Sequence, residues 1–270
     1  MTAYRVRPDA VTGSSRAETG GADPAGAGAP RVLMVRNSER SGPGRLLPWL
    51  RAEGLTVVEA SGTAVPATAA GFDAVVLLGG GFLPDADAHA PWLPAERDLA
   101  RQCAADGVPL LGICLGAQVL AVATGGEVTA EHGRPERGSC AITLRPEATD
   151  DRLLAGMPSV FPAIQNHRDQ ITGLPSGAVH LAQNERCPVQ AFRVGARAWG
   201  LQFHPEADAG RLAGWDEAAL AQSGLDLEML RTQAEAAEAA SARAARRLTA
   251  NFAAVVHTYT GHVSSGRAVM

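Results

Sequence analysis

The sequence predicts an α/β fold: an open, mostly parallel central sheet with helices on both faces and a mixed or antiparallel extension. Three observations predict it. Short buried-type apolar runs alternate with helix-type stretches from Val32 to Ala123. Two of those runs end directly in glycine-rich turns, Gly79-Gly80-Gly81 and the segment around Gly112. Beyond residue 128 the strand-type runs crowd together with few helices between them, as in an antiparallel extension.

The elements follow in order. Val32-Leu33-Met34-Val35 is the first strand, and Leu46 to Glu53 forms a helix before the second strand, Leu55 to Glu59. Ala74 to Leu78 is a third strand. Residues 92–105 carry apolar and small residues at helical spacing, Val108 to Ile113 returns to strand, and Leu115 to Ala123 is helix. Strands are expected at 128–130, 140–144, 161–165, 178–182, 189–194 and 198–203. Residues 226–250 are rich in Ala, Glu, Arg and Leu, which are strong helix formers.

Three regions are expected: residues 1–30, Gly/Ala/Pro-rich and flexible; 31–225, a single α/β domain; and 226–270, a helical extension packed on or flanking it. The 46% hydrophobic content suits a soluble globular protein. The apolar runs are far too short to span a bilayer, and no continuous apolar stretch follows the N-terminal arginines. No membrane role is expected, and the cytoplasm is the expected location. Net charge is -4 and the 24 Lys+Arg are scattered, which argues against nucleic acid as a partner. Cysteines 103, 114, 140 and 187 have neither disulfide nor metal-ligand spacing, so free thiols are expected, with no metal and no cofactor.

One cysteine stands apart. In Pro109-Leu-Leu-Gly-Ile-Cys-Leu-Gly-Ala-Gln118 a strand runs into Cys114 and a helix runs out, with Gly112 and Gly116 two positions either side. This is the context of a nucleophile elbow, whose unusual central backbone angle leaves no room for flanking side chains. The thiol would sit above the carboxyl end of the sheet, at a helix N-terminus that favours negative charge. The Leu115 amide is placed to donate to an oxyanion. Read alone, the segment fits a small buried core cysteine equally well. The other three cysteines fit a helix (Cys103), a strand entry (Cys140) and a turn before Pro188 (Cys187).

A cysteine nucleophile needs an imidazole with a fixed tautomer. Gly200-Leu-Gln-Phe-His-Pro-Glu206 supplies His204 at a strand end, Pro205 to stiffen the chain, and Glu206 to orient the ring. Gly79, Gly80 and Gly81 let backbone amides approach a ligand, and an amide at or near Gly80 is the candidate second oxyanion donor. Asn166-His167-Arg168-Asp169 and Gln118 are candidates to line the pocket. His132, Glu136, His180, His257 and His262 fit surface or packing roles.

Residues 109–118 resemble the cysteine signature of class I glutamine amidotransferases. Residues 201–206 resemble the His-x-Glu signature of that family, and residues 79–81 stand at its glycine-rich oxyanion strand. The resemblance runs from about Val32 to Glu206. It is similar to stand-alone members related to the glutaminase domain of GMP synthase. It implies a flavodoxin-like fold and a catalytic triad of Cys114, His204 and Glu206. It also implies an oxyanion hole from Gly80 and Leu115, with Gly79, Gly81, Gln118, Asn166, His167 and Asp169 binding substrate. The implied reaction passes through a γ-glutamyl thioester on Cys114 and gives glutamate and ammonia. The sequence departs from the family in Leu78 followed by three glycines, where a Pro and two glycines are usual. Residues 85–91 have no evident role. No phosphate-cradling motif follows Glu206, so ammonia transfer is expected to need a separate synthetase partner. Two alternatives stay open: a stand-alone hydrolase of γ-glutamyl amides or peptides, and a non-catalytic regulatory or structural subunit.

Overall fold

A computed structural model of the protein describes residues 28–39 and 41–267, with side chains placed through residue 260. The expected flexible segment at residues 1–30 lies almost wholly outside the described residues, as does the His262 side chain.

The strands are β1 (Arg31–Arg36), β2 (Thr56–Ser61), β3 (Ala74–Leu77), β4 (Leu110–Ile113), β5 (Glu127–Thr129), β6 (Glu136–Leu144), β7 (Val160–His167), β8 (Gln170–Gly173), β9 (Val179–Gln183), β10 (Ala191–Val194) and β11 (Ala198–Leu201). The helices are α1 (Leu46–Ala52), α2 (Leu93–Asp106), α3 (Leu115–Ala123), α4 (Glu217–Gln222) and α5 (Leu227–Arg267). Nine strands form one sheet in the order β2-β1-β3-β4-β11-β10-β9-β6-β7, and β5 pairs β8 apart from it. The five strands from β2 to β11 run parallel; β10, β9, β6 and β7 continue the sheet antiparallel. This is the expected parallel sheet with an antiparallel extension.

Strand periodicity builds the two layers. Val32 and Met34 of β1 face one core with Leu46 and Leu50 of α1 and Leu248 and Phe252 of α5. Leu33 and Val35 face the other, with Leu99 and Cys103 of α2 and Leu120 of α3. Gly107 ends α2 in the left-handed conformation, φ 69°, as helix-terminating glycines do.

Two elements differ from expectation. β8 lies within a stretch read only as polar, because Gln170-Ile-Thr-Gly173 has a single large apolar residue to reveal it. Helix α5 runs to Arg267, well past residue 250. Its buried Leu248, Phe252, Val255 and Val256 join the first core, so much of its length is held by packing as well as propensity.

Register sets the site. β11 pairs β4 in parallel with Gly200 opposite Gly112 and Leu201 opposite Ile113. The Cys114 N–H donates to the Leu201 carbonyl at 2.7 Å. The two signature segments therefore leave the sheet side by side at the same carboxyl edge. His204 then bridges outward, its N–H donating to the Ile164 carbonyl of β7 at 2.9 Å.

Candidate active site

Cys114 has φ 53° and ψ -106°, an unusual conformation for a residue with a side chain. Such strain costs on the order of 1–3 kcal/mol and persists only where the surroundings enforce it. The flanking glycines do so. A Cβ on Gly112 would lie 2.4 Å from the Gly116 carbonyl oxygen, and one on Gly116 would lie 2.1 Å from that of Leu77. The elbow is thus locked between β3 and the first turn of α3.

His204 Nδ1 donates to Glu206 Oε1 at 2.6 Å, which leaves Nε2 as the working nitrogen. The ring is mostly buried, and Nε2 has no hydrogen-bond partner among the described residues. Burial works against charge on this ring. The negative charges of Glu206 and Cys114 outweigh it and raise the His204 pKa to about 10. Gly79 sits between the two side chains: a Cβ there would lie 3.3 Å from His204 Cε1 and 3.6 Å from Cys114 Cβ. A side chain at position 79 would fill the gap between sulfur and ring.

The glycine loop is supported from beneath. Asn37 Nδ2 donates to the Leu78 carbonyl at 3.2 Å and to Glu96 Oε1 at 2.9 Å, while Trp92 Nε1 donates to Asn37 Oδ1 at 2.8 Å. Glu96 is fully buried, and that burial raises its pKa to about 7 against the opposing Asn37 bond. A Cβ on Gly80 would lie 2.5 Å from Leu115 Cδ2, so Gly80 packs directly on the helix that carries the Leu115 amide. Residues 85–91 are pinned to α2 by Arg97, which pairs with Asp87 and donates to the Pro84 carbonyl.

On the other flank, Gln118 is buried and its Nε2 donates to the Asp169 carbonyl and to Gln202 Oε1, both at 3.2 Å. Gln202 Nε2 reaches Cys114 Sγ at 3.7 Å. Asp169 accepts from the Glu131 N–H at 2.9 Å, and Asn166 is exposed on β7. The His167 ring is buried against Glu136.

Four residues of this neighbourhood escaped the sequence reading. Gln202 had a signal, since strand alternation places it on the same side as His204. Arg45 had none: it donates from Nε to the Pro205 carbonyl and from its two terminal nitrogens to Glu238 and Ser241 of α5. It thereby fastens the His-Pro-Glu turn to α5. Asn37 and Arg137 likewise depend on tertiary contacts.

A second set of the same residue types lies deeper. Glu136, His167 and Cys187 bring their ligating atoms within 4.8 Å of one another, the geometry of a potential metal cluster that sequence spacing did not reveal. Each already has protein partners. Glu136 accepts from Asn184 at 2.7 Å, Gln190 at 2.6 Å and His167 at 3.1 Å, and the Cys187 thiol donates to the Val189 carbonyl at 3.4 Å. This is a hydrogen-bonded brace across β6 and β7.

Residues 51–214 match the family "Glutamine amidotransferase class-I". The chain belongs to that family. Its chemistry is amide hydrolysis of the glutamine amidotransferase type, carried by a Cys/His/Glu cluster. Among curated proteins, a glutamine-hydrolyzing GMP synthase of Porphyromonas gingivalis is 46% identical over 100 residues, 37% of this chain and 19% of that protein. A glutamine-hydrolyzing GMP synthase subunit of Methanocaldococcus jannaschii is 38% identical over 100 residues, 37% of this chain and 51% of that protein. The matches thus span only a fifth to a half of these relatives. A glutamine amidotransferase crystal structure from Thermotoga maritima superposes with a TM-score of 0.73 at 27% identity, covering 83% of this chain and 98% of that one. A second, from Methylobacillus flagellatus, gives 0.73 at 24% identity, covers 84% of this chain and 94% of that one, and supports the fold alone. Among the described residues no helix is long and apolar enough to cross a membrane.

Proposed function

We propose that this amidotransferase hydrolyses the side-chain amide of glutamine through a γ-glutamyl thioester on Cys114 and hands the ammonia to a separate synthetase. Cys114 Sγ attacks the amide carbon. The backbone amides of Leu115 and the Gly80 region hold the oxyanion. His204, oriented by Glu206, gives its proton to the departing nitrogen, which leaves as ammonia. Water then gives a proton to His204 as it attacks the thioester, releasing glutamate and the Cys114 thiol. The observation that carries this reading is the strained Cys114 elbow beside a His204 whose Nδ1 is fixed on Glu206 and whose Nε2 is open. Similarity to a GMP synthase whose glutamine-hydrolyzing part is a separate chain supports a partner in trans. The cytoplasm suits such an exchange between two chains.

A second reading has its own support. Phe82 follows the three glycines and packs edge-on to Trp92, ring centroids 6.0 Å apart. That aromatic rim suits an apolar leaving group, and so a γ-glutamyl amide hydrolase that acts alone with the same chemistry.

The test is ammonia and glutamate release by the isolated protein from glutamine and from a panel of γ-glutamyl amides, with and without a candidate synthetase. Glutamine turnover that rises with the synthetase supports the partnered enzyme. Fast turnover of one substituted amide, unaffected by any partner, supports the second reading.

A further inference from the structure

The charges around the nucleophile include one cation without an assigned task. Arg137 is on β6, paired across the sheet with Asn166 of β7. Its Nη1 donates to the Glu136 carbonyl at 3.0 Å and to the His167 carbonyl at 2.8 Å. Those two bonds use both hydrogens of Nη1 and fix the plane of the guanidinium. Nε and Nη2 have no protein partner among the described residues, and neither is sealed from solvent. A half-buried guanidinium anchored on one nitrogen and open on the other edge is a fork for a carboxylate.

The fork faces the cleft. The 167–169 segment that anchors it is tied through the Asp169 carbonyl to Gln118, and from there through Gln202 to Cys114 Sγ. Burial and the neighbouring Arg168 hold the Arg137 pKa below its ordinary value, while the charges of Cys114 and Asp169 act to raise it. Arg168 is already engaged by Glu131 at 3.3 Å, which leaves Arg137 as the cation with an open edge on this flank. Glutamine presents the cleft with an amide at one end and a zwitterion at the other. A partly desolvated carboxylate there needs a positive partner.

We propose that Arg137 binds the α-carboxylate of the substrate and so makes the site selective for γ-amides that carry a free α-amino-acid end. The proposal rests on the glutaminase reading and deepens it: the leaving group is left open, and the acyl half is restricted to γ-glutamyl. Asp169, across the same segment, is the counterpart for the α-ammonium.

The test compares L-glutamine with 4-aminobutanamide, which keeps the amine and the amide but lacks the carboxylate. Arg137→Ala should lower kcat/KM for L-glutamine by about 10- to 100-fold, mainly through KM, as expected for one charged hydrogen-bonded pair. It should leave 4-aminobutanamide turnover within about twofold, and Arg137→Lys should recover only part of the glutamine loss. Equal losses on both substrates would mean that Arg137 only braces the 167–169 segment, and would overturn the proposal. So would no loss on either.

Titration calorimetry on Cys114→Ala protein separates this from the chemistry. L-glutamine binding that weakens 10- to 100-fold on adding Arg137→Ala supports the proposal even if the intact protein turns over no glutamine. Binding that is indifferent to Arg137 overturns it while the glutaminase reading stands. Cys114→Ala protein that binds no L-glutamine overturns it as well.

Discussion

Cys114, His204 and Glu206 share their residue types with Cys187, His167 and Glu136, and the two sets have opposite character. Glu206 has one hydrogen bond, to its histidine, whereas Glu136 accepts three. Cys114 sits strained at the mouth of the sheet and the start of α3, beside an open imidazole nitrogen. Cys187 is fully buried, and burial together with the Glu136 charge pushes its thiol up to about 12. The same three side chains therefore make a reaction centre in one place and a structural clasp in the other. What differs is access, backbone strain and how many partners the carboxylate must serve.

The contrast can be broken first at the histidines and thiols. His204→Ala should lower turnover by about 10³-fold or more, since it removes the proton shuttle. Iodoacetamide should label Cys114 and spare Cys187 in the native protein, read by peptide mapping. Labelling of Cys187 at a comparable rate would erase the distinction. Next is Glu206→Gln, expected to cost about 10²-fold or more. In the native protein His204 keeps its proton until about pH 10, so the basic limb of the pH–rate profile should lie near there. Without the Glu206 charge that limb should move toward neutral pH.

On the structural side, Glu136→Leu leaves Asn184, Gln190 and His167 without their acceptor. It should destabilise the fold by about 3 kcal/mol or more, measured by chemical denaturation. A small change there would mean the brace is dispensable. The smallest effect is at Glu96. Its folded pKa is raised to about 7 against an ordinary 4.5, so the folded state holds a proton that the unfolded state releases between those values. Stability from this group is full below pH 4.5 and is lost as pH rises to about 7. Glu96→Gln keeps the amide acceptor for Asn37 without the charge. It should match the native protein at pH 4.5 and exceed it by up to about 3 kcal/mol above pH 7.

The sequence made the parallel half of the molecule easy to read. Its strands are continuous apolar runs, and glycine pairs betray tight geometry, as at Gly112 and Gly116. Cys114, His204 and Glu206 were legible because each lies within a few residues of a strand end whose position was already clear. The antiparallel half was harder. β6 starts four residues before the expected strand and includes Glu136, a buried acid that sequence presents as a surface or packing residue. Its burial depends on Asn184 and Gln190, far along the chain. Arg45 and Arg137 were invisible for the same reason: each earns its place through carbonyls more than 25 residues away in sequence.

The most direct test of the central claim is to quench the protein with acid during glutamine turnover and map its peptides by mass. The account predicts a glutamyl adduct on the peptide that carries Cys114, absent in Cys114→Ala, whose ammonia release should fall to background. Ammonia release that persists undiminished in Cys114→Ala, or an adduct on another cysteine, would contradict it.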